Sequence, residues 1–365
     1  MRKKAAARKK AVAGKKVVAR ETAVVIAPGR GTYNKGELGY LQRLHLNKPD
    51  LLEAIDNYRA LHQRPGIVDL DRADAYSLAR HVIGKNAAGL MYGCALGDFI
   101  DIDRDRYDIV AITGNSMGWY LSLAAAGVVE MRSAGIELVE TMAALMDEHG
   151  VGGQLVYPLV DEKWRVSAQH QASVAGVLAQ APEQLFVSIR LGGSVVLAGT
   201  DKALRCAERE LPKIDGGFPL RLARHAAFHT PLLGAVSEFA RQKLPLSLFQ
   251  APELPLIDGR GEIWQPWSDL DALRDYTLGH QVVATYDFSK AVEVALKEFA
   301  PQRLILLGPG STMGPPILQI LIAHKWFGLT DKASVLKRQE SNPFVLAMGI
   351  PEQRERVVSC ARDTE

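Results

Sequence analysis

Residues 107–129 read YDIVAITGNSMGWYLSLAAAGVV. The opening YDIVAIT is an apolar run that reads as a buried strand, and the stretch after Gly118 is Ala/Leu-rich and reads as a helix. Between them lies Gly114-Asn115-Ser116-Met117-Gly118, a G-x-S-x-G pattern. The five residues alone arise easily by chance. The strand before and the helix after give them weight, because a nucleophile elbow is a tight strand-to-helix turn. Such a turn needs small residues on either side of the serine, since its backbone is strained and passes close to neighbouring elements. The hydroxyl is then held at a helix N-terminus, where backbone N–H groups can bind a developing oxyanion. The plainer alternative is a helix-capping serine in a glycine-rich turn. The flanks favour the nucleophile.

Outward from this stretch, strands and helices alternate. Thr22 opens TAVVIAPG, a second buried strand running into a Pro-Gly loop, and apolar-periodic stretches near 48–61 and 85–100 read as helices. This is the pattern of an α/β layer around a mostly parallel sheet. The middle has a different rhythm: strand 154–160, helix 167–180, strands 185–189 and 194–199, helix 201–211 and strand 218–222. That β-α-β-β-α-β order predicts a ferredoxin-like subdomain. Helices over 231–243 and 288–299 and a strand over 303–308 then resume the first rhythm. The expected organisation is a basic, disordered tail (1–21), a large α/β-hydrolase-like domain (22–147 and 223–330), an inserted ferredoxin-like subdomain (148–222) and a C-terminal extension (331–365).

Of 44 Lys/Arg in the 365 residues, nine fall in residues 1–20, which hold no acid; 35 bases against 41 acids leave the rest at −6. The tail has no apolar h-region, which argues against a secretory signal. It reads as a disordered arm or as a start codon placed upstream of the real one, rather than as a nucleic-acid arm, since the body carries no nucleic-acid motif. No apolar run approaches the roughly 18–20 residues of a membrane span. Cys94, Cys206 and Cys360 are unclustered, so neither a disulfide framework nor a zinc site is expected, and a cytoplasmic location is the default.

A serine of ordinary pKa needs a base. His229, in HAAFHTPLL, stands where the chain leaves the subdomain. His225, four residues earlier, would suit a metal pair on a helix, but no acidic ligand or HExxH context accompanies it and no metal is expected. The first loop, Ala27-Pro-Gly-Arg-Gly-Thr-Tyr-Asn-Lys-Gly36, is neither G-x-G-x-x-G nor a Walker A sequence. At the carboxyl end of a strand it suits the supply of oxyanion N–H groups better than dinucleotide binding.

Taken in order, these pieces resemble the acyl-CoA:acyl-carrier-protein acyltransferase family, which includes malonyl-CoA:ACP transacylases and polyketide synthase domains. The resemblance covers roughly residues 22–325. It rests on APGRGTYNKG against a FPGQGSQ-type loop, GNSMG against GHSLG, LAAAGVV after the elbow and SVVLAGTDKAL. Further anchors are AAFHTPLL, Gln281 before DFSKAVE, and GPGSTMG. The resemblance implies Ser116 as nucleophile and His229 as its base, with backbone groups orienting the imidazole. It implies an oxyanion hole from the N–H groups of Arg30 and Met117, with Gln281 on the substrate side. An acyl pocket around Asn115, Thr141, Met142 and Phe228 would follow. The implied reaction is a ping-pong transfer from acyl-CoA to the phosphopantetheine thiol of an acyl carrier protein, with no bound cofactor and no nucleic-acid or membrane partner.

Three departures stand out. The loop Gln of the family is Arg30, and its residues around the elbow become Asn115 and Trp119. The Arg that pairs with a malonyl carboxylate in LVEMRG-like helices falls on Thr141 or Met142 of ELVETMAA. A buried carboxylate without a partner costs several kcal/mol, so either Arg30, Arg132 or Arg190 substitutes or the acyl group is uncharged. AAFH resembles the motif of malonyl-selecting polyketide enzymes and points the other way; the missing Arg, with its charge argument, outweighs it. Lys202, Arg205, Arg209 and Lys213 form either a docking face for an acidic carrier or an ordinary solvated helix surface. A serine thioesterase or hydrolase on the same scaffold, or a non-catalytic scaffold protein of a synthase, are the alternatives to a transferase.

Overall fold

The computed structural model describes residues 19–359. The basic tail up to residue 18 and Cys360 lie outside the described residues. Among the described residues eleven strands form two sheets: β1 (Glu21–Ala27), β2 (Tyr107–Gly114), β3 (Gly153–Pro158), β4 (Leu185–Leu191), β5 (Ser194–Gly199), β6 (Leu220–Arg221), β7 (Leu256–Ile257), β8 (Ile263–Trp264), β9 (Tyr286–Asp287), β10 (Arg303–Leu306) and β11 (Val345–Ala347).

The larger sheet runs β11-β10-β1-β2-β7-β8, parallel throughout except for the last pair. Ala23 through Ala27 of β1 are fully buried, as expected of a central strand with both faces covered by helices. The β1–β2 register sets Ala27 opposite Gly114. The loop after β1 and the elbow after β2 therefore start side by side at the carboxyl ends of adjacent strands, the place where open α/β sheets bind ligands. The stretch past residue 330, marked by the sequence as an extra segment, supplies the edge strand β11 on β10.

The smaller sheet has the order β6-β3-β5-β4 with antiparallel neighbours, the split βαβ arrangement. Side chains alternate across it. Leu155, Tyr157, Val195 and Leu197 pack under helices Ala168–Gln180 and Asp201–Glu210 as a separate core. Val156, Ile189 and Val196 face the other way, toward the large lobe. The short β9 joins β4 in parallel, adding a fifth strand from outside the βαββαβ unit. The segment expected as a strand over 218–222 keeps only Leu220–Arg221 in ladder contact.

Two buried ion networks tie the large lobe together. Asp98 accepts from Tyr40, from the backbone N–H of Gly308 and from Arg354, and lies 3.1 Å from His45. Glu140, on helix Ala134–His149, pairs with Arg59 and Arg64. No helix among the described residues is long and apolar enough to cross a membrane.

Candidate active site

The elbow forms because Gly114 and Gly118 leave no room for anything larger. A Cβ on Gly118 would sit 2.4 Å from the Ala27 carbonyl oxygen, and one on Gly114 would sit 2.3 Å from the Gly118 backbone. Packed this tightly, the turn holds Ser116 at φ +56°, a left-handed conformation costing a non-glycine residue about 1–2 kcal/mol. Helix Gly118–Ala125 starts just beyond. Asn115 N–H donates to the Ala27 carbonyl at 3.0 Å, fastening the elbow to the first loop.

His229, 113 residues downstream, lies with Nε2 2.7 Å from Ser116 Oγ. Its Nδ1 is 2.6 Å from the backbone carbonyl oxygen of Gln281. A carbonyl only accepts, so Nδ1 carries the proton and Nε2 presents a lone pair to the serine hydroxyl. Burial lowers the His229 pKa to about 4, against the opposing pull of the Gln281 carbonyl. The ring is therefore neutral at neutral pH, the state a general base requires. His229 also has a positive φ, +59°.

Gln281 ties the site together. Its Nε2 donates to the Ser116 carbonyl at 3.1 Å and its Oε1 accepts from Tyr120 at 2.8 Å, while its own carbonyl holds His229. One end of the side chain is thus tied to the Ser116 backbone and the other to Tyr120, while the main chain orients the base. Tyr286 adds a hydrogen bond from its hydroxyl to the Gly114 carbonyl. Tyr120 and Tyr286 carry no motif of their own; only the position of Tyr120 one turn beyond the serine hinted at it.

Ser116 and His229 open onto a cavity of about 500 Å³ between the lobes. Arg30, Asn115, Met117, Met142, Phe228 and Gln281 all line it. Val139, Met142, Ala143 and Met146 share one face of helix Ala134–His149, and Val156, Ile189 and Val196 form the opposite wall. Thr141 is not in the lining; it lies near Tyr58 instead. The lining position matching the helix arginine of the resemblance is therefore Met142. Of the three substitute arginines, only Arg30 lines this cavity. Arg132 pairs with Asp50 at the surface, and Arg190 pairs with Asp287 in a separate pocket.

Arg30 Nη2 donates to the carbonyls of Val82 (2.7 Å) and Arg224 (3.0 Å), and its guanidinium lies 5.7 Å from the Phe228 ring centroid. Burial lowers its pKa, with Asp147 acting in the opposite sense. Among the described residues no acceptor meets the backbone N–H of Arg30 or Met117. His225 lines the same cavity, with Nδ1 2.7 Å from Gln154 Oε1. Lys202, Arg205 and Arg209 are exposed on helix Asp201–Glu210, as is Lys213 beyond it.

No family model and no curated protein matches the chain. Solved structures do. A malonyl-CoA:acyl carrier protein transacylase from Xanthomonas oryzae superposes with a TM-score of 0.71 at 18% identity, over 94% of this chain and 100% of that one. The malonyl-CoA:ACP transacylase of Synechocystis gives 0.68 at 16% identity, over 92% and 100%. A malonyl-transacylase solved in complex with its type II polyketide synthase acyl-carrier protein gives 0.65 at 21% identity, over 88% and 100%. The chain has the fold of the malonyl-CoA:acyl carrier protein transacylases.

Proposed function

We propose that the chain is an acyl-CoA:acyl-carrier-protein transacylase working through an acyl-serine on Ser116. The observation that carries this reading is the 2.7 Å contact of Ser116 Oγ with His229 Nε2, its proton locked on Nδ1 by the Gln281 carbonyl. Ser116 Oγ attacks the thioester carbonyl while His229 Nε2 takes its proton. The oxyanion is met by the Arg30 and Met117 N–H groups. Collapse expels the CoA thiolate, which receives the proton from His229. In the second half, His229 accepts the proton of the carrier's phosphopantetheine thiol as the sulfur attacks the ester. The proton then passes to Ser116 Oγ as the acyl thioester leaves.

The transacylase solved with its carrier protein supports a carrier as the partner. The exposed Lys202, Arg205 and Arg209 face is a docking surface of the right charge for an acidic carrier. The acyl group is uncharged. Met142 occupies the lining where a carboxylate would need a cation, Val139, Ala143 and Met146 around it are apolar, and the Nη2 of Arg30, the cation that does line the cavity, is already held by the Val82 and Arg224 carbonyls.

Intact-mass spectrometry after incubation with acetyl-, butyryl- and malonyl-CoA tests this. An acyl adduct is expected on Ser116, discharged by holo carrier protein and absent in Ser116→Ala. Loss of the adduct to water at the same rate with or without carrier would instead make the chain a hydrolase. Met142→Arg is expected to raise malonyl loading relative to acetyl loading about tenfold or more, the scale of one charge-assisted pair. An unchanged ratio would count against the uncharged acyl group.

A further inference from the structure

A directional chain of hydrogen bonds ends at the wall of the chamber. The Phe228 carbonyl can only accept, and it accepts from Ser188 Oγ at 2.8 Å. Ser188 Oγ, its proton given away, accepts from Gln154 Nε2 at 2.7 Å. Gln154 Oε1 must then face a donor, and its neighbour is His225 Nδ1 at 2.7 Å. The proton of His225 is therefore on Nδ1, and Nε2 keeps a bare lone pair. Burial and the Arg30 charge lower the pKa of this ring to about 3, so it is neutral. Among the described residues nothing donates to His225 Nε2.

Arg30 stands nearby. The Phe228 ring that lies 5.7 Å from the guanidinium also packs 5.5 Å from the His225 ring. Two carbonyls hold Arg30 Nη2, but its Nε is buried without an acceptor. At this end the acyl chamber thus presents a hydrogen-bond acceptor with a donor nearby. A hydroxyl group answers both, donating to one and accepting from the other. A carboxylate, acceptor only, would face the His225 lone pair.

We propose that His225 Nε2 and the Arg30 guanidinium bind a hydroxyl on the acyl chain, so that the protein selects hydroxyacyl thioesters over the unsubstituted chains. This rests on the acyl-serine reading above. A site built for a hydroxyl discriminates against the analogue lacking it, because its own polar groups are left unpaired.

Butyryl-CoA is set in competition with 2-, 3- and 4-hydroxybutyryl-CoA and with malonyl-CoA, reading the adduct on Ser116 by intact mass. One hydroxybutyryl donor is expected to exceed butyryl by about tenfold or more. His225→Phe is expected to bring that ratio near one to one. Gln154→Leu, which keeps the imidazole but frees its proton to move to Nε2, lowers the same ratio and serves if His225→Phe fails to fold. Equal loading of butyryl and every hydroxybutyryl donor, a ratio unmoved in both variants, or malonyl outcompeting the rest overturns the proposal. No adduct with any donor overturns the acyl-serine reading itself.

Discussion

His229→Ala is expected to slow formation of the acyl-serine by about a thousandfold or more, without unfolding the protein. The Ser116 hydroxyl is a weak nucleophile until something takes its proton, and the group 2.7 Å from its oxygen is His229 Nε2. Single-turnover loading read by quenched intact mass measures the step directly. In the unaltered protein the pH profile should be informative as well. A protonated imidazole cannot accept the serine proton, and burial has lowered the His229 pKa to about 4. Loading is therefore expected to hold steady from neutral pH downward and to fall only as pH drops through about 4.

Stability moves over a different window. His225 and His229 titrate near 6.5 when unfolded and at about 3 and about 4 when folded, so between these values the unfolded chain binds more protons. Their contribution to stability is complete above pH 6.5 and declines on acidification through the folded values. Circular dichroism at each pH separates the two effects. A loading rate that instead halves near pH 6.5 while the fold persists would mean that the base is solvated, contrary to its burial.

The elbow was legible in the sequence because everything that makes it is local: an apolar strand, two glycines at fixed spacing and an apolar helix. His229 was reachable by its motif and by the resemblance. What orients it was only half visible, since a backbone carbonyl has no side chain to read; the resemblance supplied backbone orientation, and the geometry supplies Gln281. Gln154 and Ser188 were missed because strand periodicity names a face and not a partner. Ser188 nevertheless left a trace, a polar residue inside the apolar run LFVSIRL that is fully buried in the fold. The short strands β9 and β11, of two and three residues, fall below the length at which a period-2 pattern can be recognised. Their places are set by tertiary packing on β4 and β10.

Glu140→Ala is expected to cost about 3–5 kcal/mol of stability. Arg59 is wholly buried, and the Glu140 carboxylate is the acid that pairs with it. Its remaining donors are held by neutral groups: Nε by the Pro65 carbonyl, Nη1 by that of Lys85 and Nη2 by Asn86 Oδ1. Those acceptors fix the guanidinium where it is, so without Glu140 it cannot swing to water and remains a buried charge without its paired carboxylate. Arg64, only slightly exposed, loses its partner too. The double variant Arg59→Met with Glu140→Leu should regain most of the loss, since apolar packing of similar volume replaces a buried pair at little net cost. The urea midpoint of each variant reads the difference. The effect also reaches the chamber, because Val139 and Met142 flank Glu140 on the helix and line the acyl wall. If Glu140→Ala left the midpoint unchanged, the neutral acceptors around Arg59 would suffice to solvate its charge, and the helix would owe its place to the apolar face alone.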